Sequence, residues 1–174
     1  MQFKECYQNP FIEERADPYI TLGPDGFYYF TASYPMKSAD DKDGYDRVIL
    51  RREKDISELA SAEEITIWKV ADTTLTHRFI WAPELHYIAG RWYVFYAGSE
   101  DKENNWAFDC HVLVCDSDDP YTGTWSEKGK FQKREEDEFS FTGFSLDMTY
   151  FEDGERSYVI WAQHSPEKIS CLYL

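Results

Sequence analysis

Short apolar runs separated by turn-forming residues pattern this chain, with no long helical stripe. "FYYFTAS" from Phe27, "WYVFYAG" from Trp92 and "SYVIWAQ" from Ser157 are rich in aromatic and β-branched residues, which suit a pleated, half-buried surface. Each follows a turn-like stretch, "GPDG", "IAGR" or "EDGE", and each turn follows a further extended run, "DPYITL", "PELHY" or "DMTYF". The starts at 27, 92 and 157 are 65 residues apart, so one hairpin is written three times. Downstream of each hairpin comes another β-rich run, "RVIL", "HVLV" or "CLYL"; after the first two stands a tryptophan segment, around Trp68 and Trp125. Each unit therefore predicts four short antiparallel strands, in repeat units of about 9–74, 75–138 and an incomplete 139–174. "EKDISELASAEE" is the one stretch with helical propensity, and it reads as a loop or one short helical turn between strands.

Repeated four-stranded units with aromatic marks predict an all-β fold, a β-propeller whose antiparallel blades radiate from a central channel. Closing such a ring takes at least four blades, whereas this chain writes two and most of a third and ends inside the apolar run "CLYL". The expectation is a partial propeller domain over 1–174, about two and a half to three blades, completed by further blades of a parent chain. A small self-contained β-sandwich would leave the equal spacing of the hairpins unexplained.

Composition removes several function classes. Eighteen basic against 33 acidic residues give a net charge of −15, the wrong sign for nucleic acid or anionic lipid. No apolar run approaches the roughly 20 residues that span a bilayer, and the N-terminus lacks the apolar stretch of a secretory signal. Cys6, Cys110, Cys115 and Cys171 form no CxxC pair and the four histidines no zinc spacing, so the cysteines read as reduced packing residues of a cytoplasmic protein. A secreted protein whose signal had been removed would leave the same chain. The 18% aromatic content suits a β-rich core and also offers flat platforms for sugar rings.

The repeat register singles out two acids. Asp17, in "ADPYI", lies 65 residues before Ala82 and 130 before Asp147, so two carboxylates hold one structural position on the first and third units. An Asp before Pro often caps a turn. The first strand of a propeller blade commonly lines the channel, however, so the matched pair is expected to face one funnel. There mutual repulsion raises at least one pKa and separates the roles of acid and base. Glu84 follows Ala82 by two residues and by strand alternation faces the same way; it is expected as a deeper channel acid bound to backbone amides or an arginine.

Taken together, "ADPYI", "WAPELHYIAGRWYVFYAG" from Trp81 to Gly98 and "SLDMTYFEDG" with Asp147 resemble glycoside hydrolase family 43. These are five-bladed β-propeller enzymes that include α-L-arabinofuranosidases, β-xylosidases and arabinanases. The likeness runs from about Asn9 to the end. It implies an inverting glycosidase acting on arabinose- or xylose-containing plant oligosaccharides, with a leaning to the α-L-arabinofuranosidase branch. It makes Asp17 the general base that activates water and Asp147 the acid that orients the proton donor and tunes its pKa. In that family the general acid is a glutamate of the fourth blade, and nothing here matches it: Glu84 is on the wrong blade, while Glu152, Glu155 and Glu167 fall in turns or loops. The donor is therefore expected beyond Leu174, and this piece alone is expected to be inactive.

Trp81, directly before the second blade's repeat position, is a candidate sugar-stacking platform; wedging between blades would suit it equally. No cofactor is required, although the resemblance allows a calcium ion in the central channel, which His86 and His164 could approach. The acidic run "KREEDEF" reads as a solvated loop between blades. A propeller that binds a sugar or protein without chemistry is the competing class. A fructan-acting five-bladed enzyme is set aside because its "NDPNG" and "RDP" motifs are absent.

Overall fold

The computed structural model describes residues 7–38, 43–71, 74–101, 104, 106–165 and 168–173. The first sheet is β1 (Ala16–Leu22), β2 (Tyr28–Ser33), β3 (Arg47–Glu53) and β4 (Ile65–Lys69), hydrogen-bonded in that order. The second is β5 (Arg78–Ile88), β6 (Arg91–Ser99), β7 (Phe108–Cys115) and β8 (Trp125–Lys130), and the third is β9 (Ser145–Asp153), β10 (Arg156–Ser165) and β11 (Lys168–Tyr173). All neighbours are antiparallel, so each sheet zigzags outward from its first strand as a propeller blade does. The turns close where glycine can take positive φ: Gly26 at 76°, Gly90 at 84° and Gly154 at 62°. "EKDISELASAEE" forms a 3-10 turn, Ile56–Ala60, with Asp55 as its N-cap.

Side-chain alternation assigns each blade two apolar faces. In β6, Trp92, Val94 and Tyr96 pack toward the first blade with Tyr29, Val48, Leu50 and Trp68, while Phe95 turns the other way to Met148 and Trp161 of the third. The two blade tryptophans, Trp68 and Trp125, share the first of these cores. Two of the buried indoles donate to backbone carbonyls, Trp92 to Asp118 at 2.9 Å and Trp125 to Pro120 at 3.0 Å. At the outer rim Arg52 ties the first two blades by a 2.7 Å contact to Asp119 while its guanidinium lies over the Tyr121 ring.

Cys110 and Cys115 are free and buried, as packing residues should be, and burial pushes the Cys110 thiol up to about 12. Cys6 and the side chain of Cys171 lie outside the described residues.

Candidate active site

Each blade's first strand carries one extra residue at the same place. Between the pairs Ala16↔Ser33 and Tyr19↔Thr31 the first strand advances three residues against two, and the same step separates Trp81↔Ala97 from Glu84↔Phe95 and Leu146↔Ala162 from Thr149↔Ile160. A bulge of this kind bends the strand and re-aims a side chain. The residue it turns into the left-handed region is Asp17 at φ 50°, Ala82 at 43° and Asp147 at 52°. Aspartate tolerates that conformation better than most residues, because its short polar side chain can bond locally.

Ala82 has no such compensation. Ala82→Gly is expected to stabilise the fold by about 1 kcal/mol, the usual cost of a Cβ at positive φ, seen as a higher denaturant midpoint with an unchanged slope.

The bulged positions are joined by hydrogen bonds. The fully buried Ser33 donates its hydroxyl to Asp17 Oδ2 at 2.8 Å, and Ser33 Oγ accepts the Ala82 backbone N–H at 2.8 Å. One hydroxyl therefore locks the first blade's carboxylate to the second blade's strand. Asp147 remains open to solvent on one side, yet its carboxyl is raised from the ordinary value, first by partial burial and then by the negative charges of Asp17 and Glu84. Three carboxylates from three blades thus act on one space.

Among the described residues neither a backbone amide nor an arginine bonds Glu84; its Oε2 lies 3.0 Å from Nε2 of His86, whose side chain is only 5% exposed. An ionised carboxylate can only accept, so this pairing places the imidazole proton on Nε2. The Tyr19 hydroxyl stands 3.5 Å from Nδ1 of the same ring, and burial followed by the charge of Glu84 pushes that phenol up to about 12. The bulge also changes why Glu84 points inward. It breaks the alternation between Ala82 and Glu84, and Glu84 instead holds the register position that Tyr19 and Thr149 hold on the neighbouring blades.

Trp81 is half-buried, stacked on Phe108 at 4.2 Å between centroids and flanked edge-on by Tyr45, Phe79 and Trp106. Its indole N–H is buried without a hydrogen-bond partner among the described residues. His164 is exposed and touches the site through its backbone, its N–H donating to the Phe144 carbonyl at 2.8 Å. Glu152 and Glu155 are exposed, at the end of β9 and in the turn after it; Glu167 lies outside the described residues. No group of three or more His, Cys, Asp or Glu residues is arranged to hold a metal ion among the described residues, and His86 is taken by Glu84 and Tyr19. Among the described residues the donors present therefore do not make a calcium site.

Ser33 and Tyr19 escaped the reading of the sequence. A signal for the first was there: the last residue of each repeated run is Ser33, Gly98 or Gln163, not apolar in any copy.

The family described as glycosyl hydrolases family 43 has a sequence model that matches residues 7–174. An extracellular exo-α-(1→5)-L-arabinofuranosidase of Streptomyces chartreusis is 41% identical over 160 residues, which are 92% of this chain and 44% of that protein. α-L-Arabinofuranosidase 43 of Humicola insolens is 39% identical over 162 residues, 93% of this chain and 30% of its own length. The crystal structure of an α-L-arabinofuranosidase from Lactobacillus brevis superposes with a TM-score of 0.80 at 36% identity, covering 96% of this chain and 50% of that one. The chain thus spans half or less of the length of these relatives.

Proposed function

This chain belongs to family 43 of the glycosyl hydrolases, and on that premise we propose that the whole protein removes terminal α-L-arabinofuranosyl units from neutral plant oligosaccharides with inversion at the anomeric carbon. The observation that carries this reading is the placement of two carboxylates on equivalent bulges of the first and third blades, the proton affinity of Asp147 raised by partial burial and then by the charge of Asp17. Asp17, fixed by the Ser33 hydroxyl, takes a proton from water as the water oxygen attacks the anomeric carbon. The glycosidic C–O bond breaks on the opposite face, and its oxygen leaves with a proton from a general acid, for which no residue of this chain is assigned. Asp147 is a positioning residue: its charge orients that acid and holds its proton on. In the inverting geometry about 6.5–9.5 Å between base and acid leaves room for the water.

Arabinose is favoured over xylose because the named relatives at 36–41% identity are arabinofuranosidases. The Streptomyces relative's description as extracellular supports export of the whole protein in place of the cytoplasmic setting expected from the cysteines. No helix of the described residues is long and apolar enough to cross a membrane.

Proton NMR of the first product formed from an α-L-arabinofuranoside tests the reading. The β-anomer should appear first and mutarotate later. Initial release of the α-anomer, or no release of arabinose, would overturn the proposal.

A further inference from the structure

Trp106 is 70% exposed, among the most exposed of the large hydrophobic side chains. An indole left this far in water forfeits one of the largest apolar burials a side chain can make, and here it is continuous with the rings of Trp81 and Phe144. Its backbone is anchored: the Trp106 N–H is accepted by the Asn104 side chain at 3.1 Å, the Ala107 N–H by the Asn104 carbonyl at 3.1 Å, and that carbonyl also accepts from the Ser99 hydroxyl at 3.2 Å.

Its position joins both halves of the carboxylate site. The Trp106 ring lies 6.4 Å from Trp81, edge-on at 80°, and 6.4 Å from Phe144, tilted at 38°. Trp81 directly precedes Ala82, whose N–H is bonded through Ser33 to Asp17, and Phe144 stands three residues before Asp147. The row Trp81, Trp106, Phe144 therefore runs from the entrance of the second blade's first strand to that of the third. Trp81 has one face covered by Phe108, and of the row it is Trp106 that offers an open ring.

We infer that Trp106 is a substrate-stacking residue that binds the C–H face of a sugar unit of a neutral pentose oligosaccharide and sets the preference for oligosaccharide over single-sugar substrates. The ligand class follows from the site's own charge. Asp17, Glu84 and Asp147 in a chain of net charge −15 repel uronate-bearing or phosphorylated sugars, whereas a neutral ring with its C–H groups on an electron-rich indole meets no such penalty. The inference rests on the glycosidase reading above, and its experiment is chosen to separate the two.

The whole protein, its Trp106→Ala variant and its Trp106→Phe variant are titrated with α-1,5-arabinotriose and with xylotriose by calorimetry or ligand-observed NMR, with thermal melts as the control for folding. Binding of at least one trisaccharide should weaken about tenfold in Trp106→Ala and recover most of the way in Trp106→Phe, while melting is unchanged. KM for the trisaccharide should rise in parallel, and kcat/KM for an aryl arabinoside should change less than threefold. Equal binding by wild type and Trp106→Ala, or binding of neither sugar by the wild type, overturns the inference. Loss of trisaccharide binding in Trp106→Ala, with a wild type that binds but never cleaves, upholds the stacking role and sinks the glycosidase reading instead.

Discussion

Asp17→Asn in the whole protein is expected to lower kcat about 10³-fold, within the range that a positioned acid or base contributes, with KM for an arabinofuranoside changed little. Asparagine is the informative replacement because it keeps the size of the side chain and tolerates the left-handed backbone at φ 50°, so the bulge survives and only proton acceptance is lost. Asp17→Gly, equally at ease at positive φ, opens space beside the anomeric carbon. Added azide should then restore turnover by attacking that carbon itself, expelling the aglycone and forming a glycosyl azide of inverted configuration. Azide is already an anionic nucleophile with no proton to give up and needs no base, so its recovery would locate the defect at water activation. A kcat within tenfold of wild type in Asp17→Asn removes Asp17 from the mechanism, whatever its place on the strand. Ser33→Ala is the companion measurement, because it leaves the carboxylate but cuts the 2.8 Å bond that holds it against the second blade.

Why Asp17 and Asp147 could be paired from sequence, and the rest of the site could not, follows from what a repeat preserves. Hairpins separated by 65 residues keep their register because Gly26, Gly90 and Gly154 close the same turn, so residue arithmetic places Asp17, Ala82 and Asp147 together. The apolar runs were legible for the same reason: alternation along β6 sends Trp92 and Phe95 to opposite cores. The bulge was silent. Present in all three copies, it leaves the 65-residue spacing intact, and nothing in "DP", "AP" or "DM" marks it. Simple alternation therefore predicted the inward face of Glu84 for the wrong reason and missed its partner. Beyond the bulge Glu84 and His86 share one face of β5, but Tyr19 reaches the same ring from 67 residues away. Trp106 was illegible for a different cause. It lies in the irregular connection between β6 and β7, where no period says which way a side chain points, and only the packing of Trp81 and Phe144 beside it reveals an open indole.

Asp147→Asn should separate the cost of the site from its use, lowering activity while raising stability. The folded-state proton affinity of Asp147 is raised, by partial burial and then by Asp17 and Glu84, so its ionised form is disfavoured in the folded chain relative to the unfolded one. A carboxyl of this kind contributes stability that is fully present below its ordinary pKa and is lost as pH rises through the raised folded value. At pH 7 the wild type therefore carries a partly buried charge and its repulsion by Asp17 and Glu84, both of which the amide removes. The variant should melt higher than wild type at pH 7, and the difference should begin to shrink as pH falls through the raised pKa and vanish below the ordinary carboxyl pKa, where Asp147 is neutral in the folded and the unfolded chain alike. Asparagine also suits φ 52°, so no backbone strain obscures the comparison. Turnover should move the other way, down on the order of 10²-fold, the lower end of what acid–base placement supplies. Without the Asp147 charge the proton donor loses its proton more readily, so the basic limb of the kcat/KM profile should shift to lower pH. A residue that merely shaped the bulge would leave that limb where it was. A variant that melts lower at pH 7 would mean that Asp147 makes a stabilising contact stronger than the repulsion, and an unmoved basic limb would mean that its charge does not reach the donor.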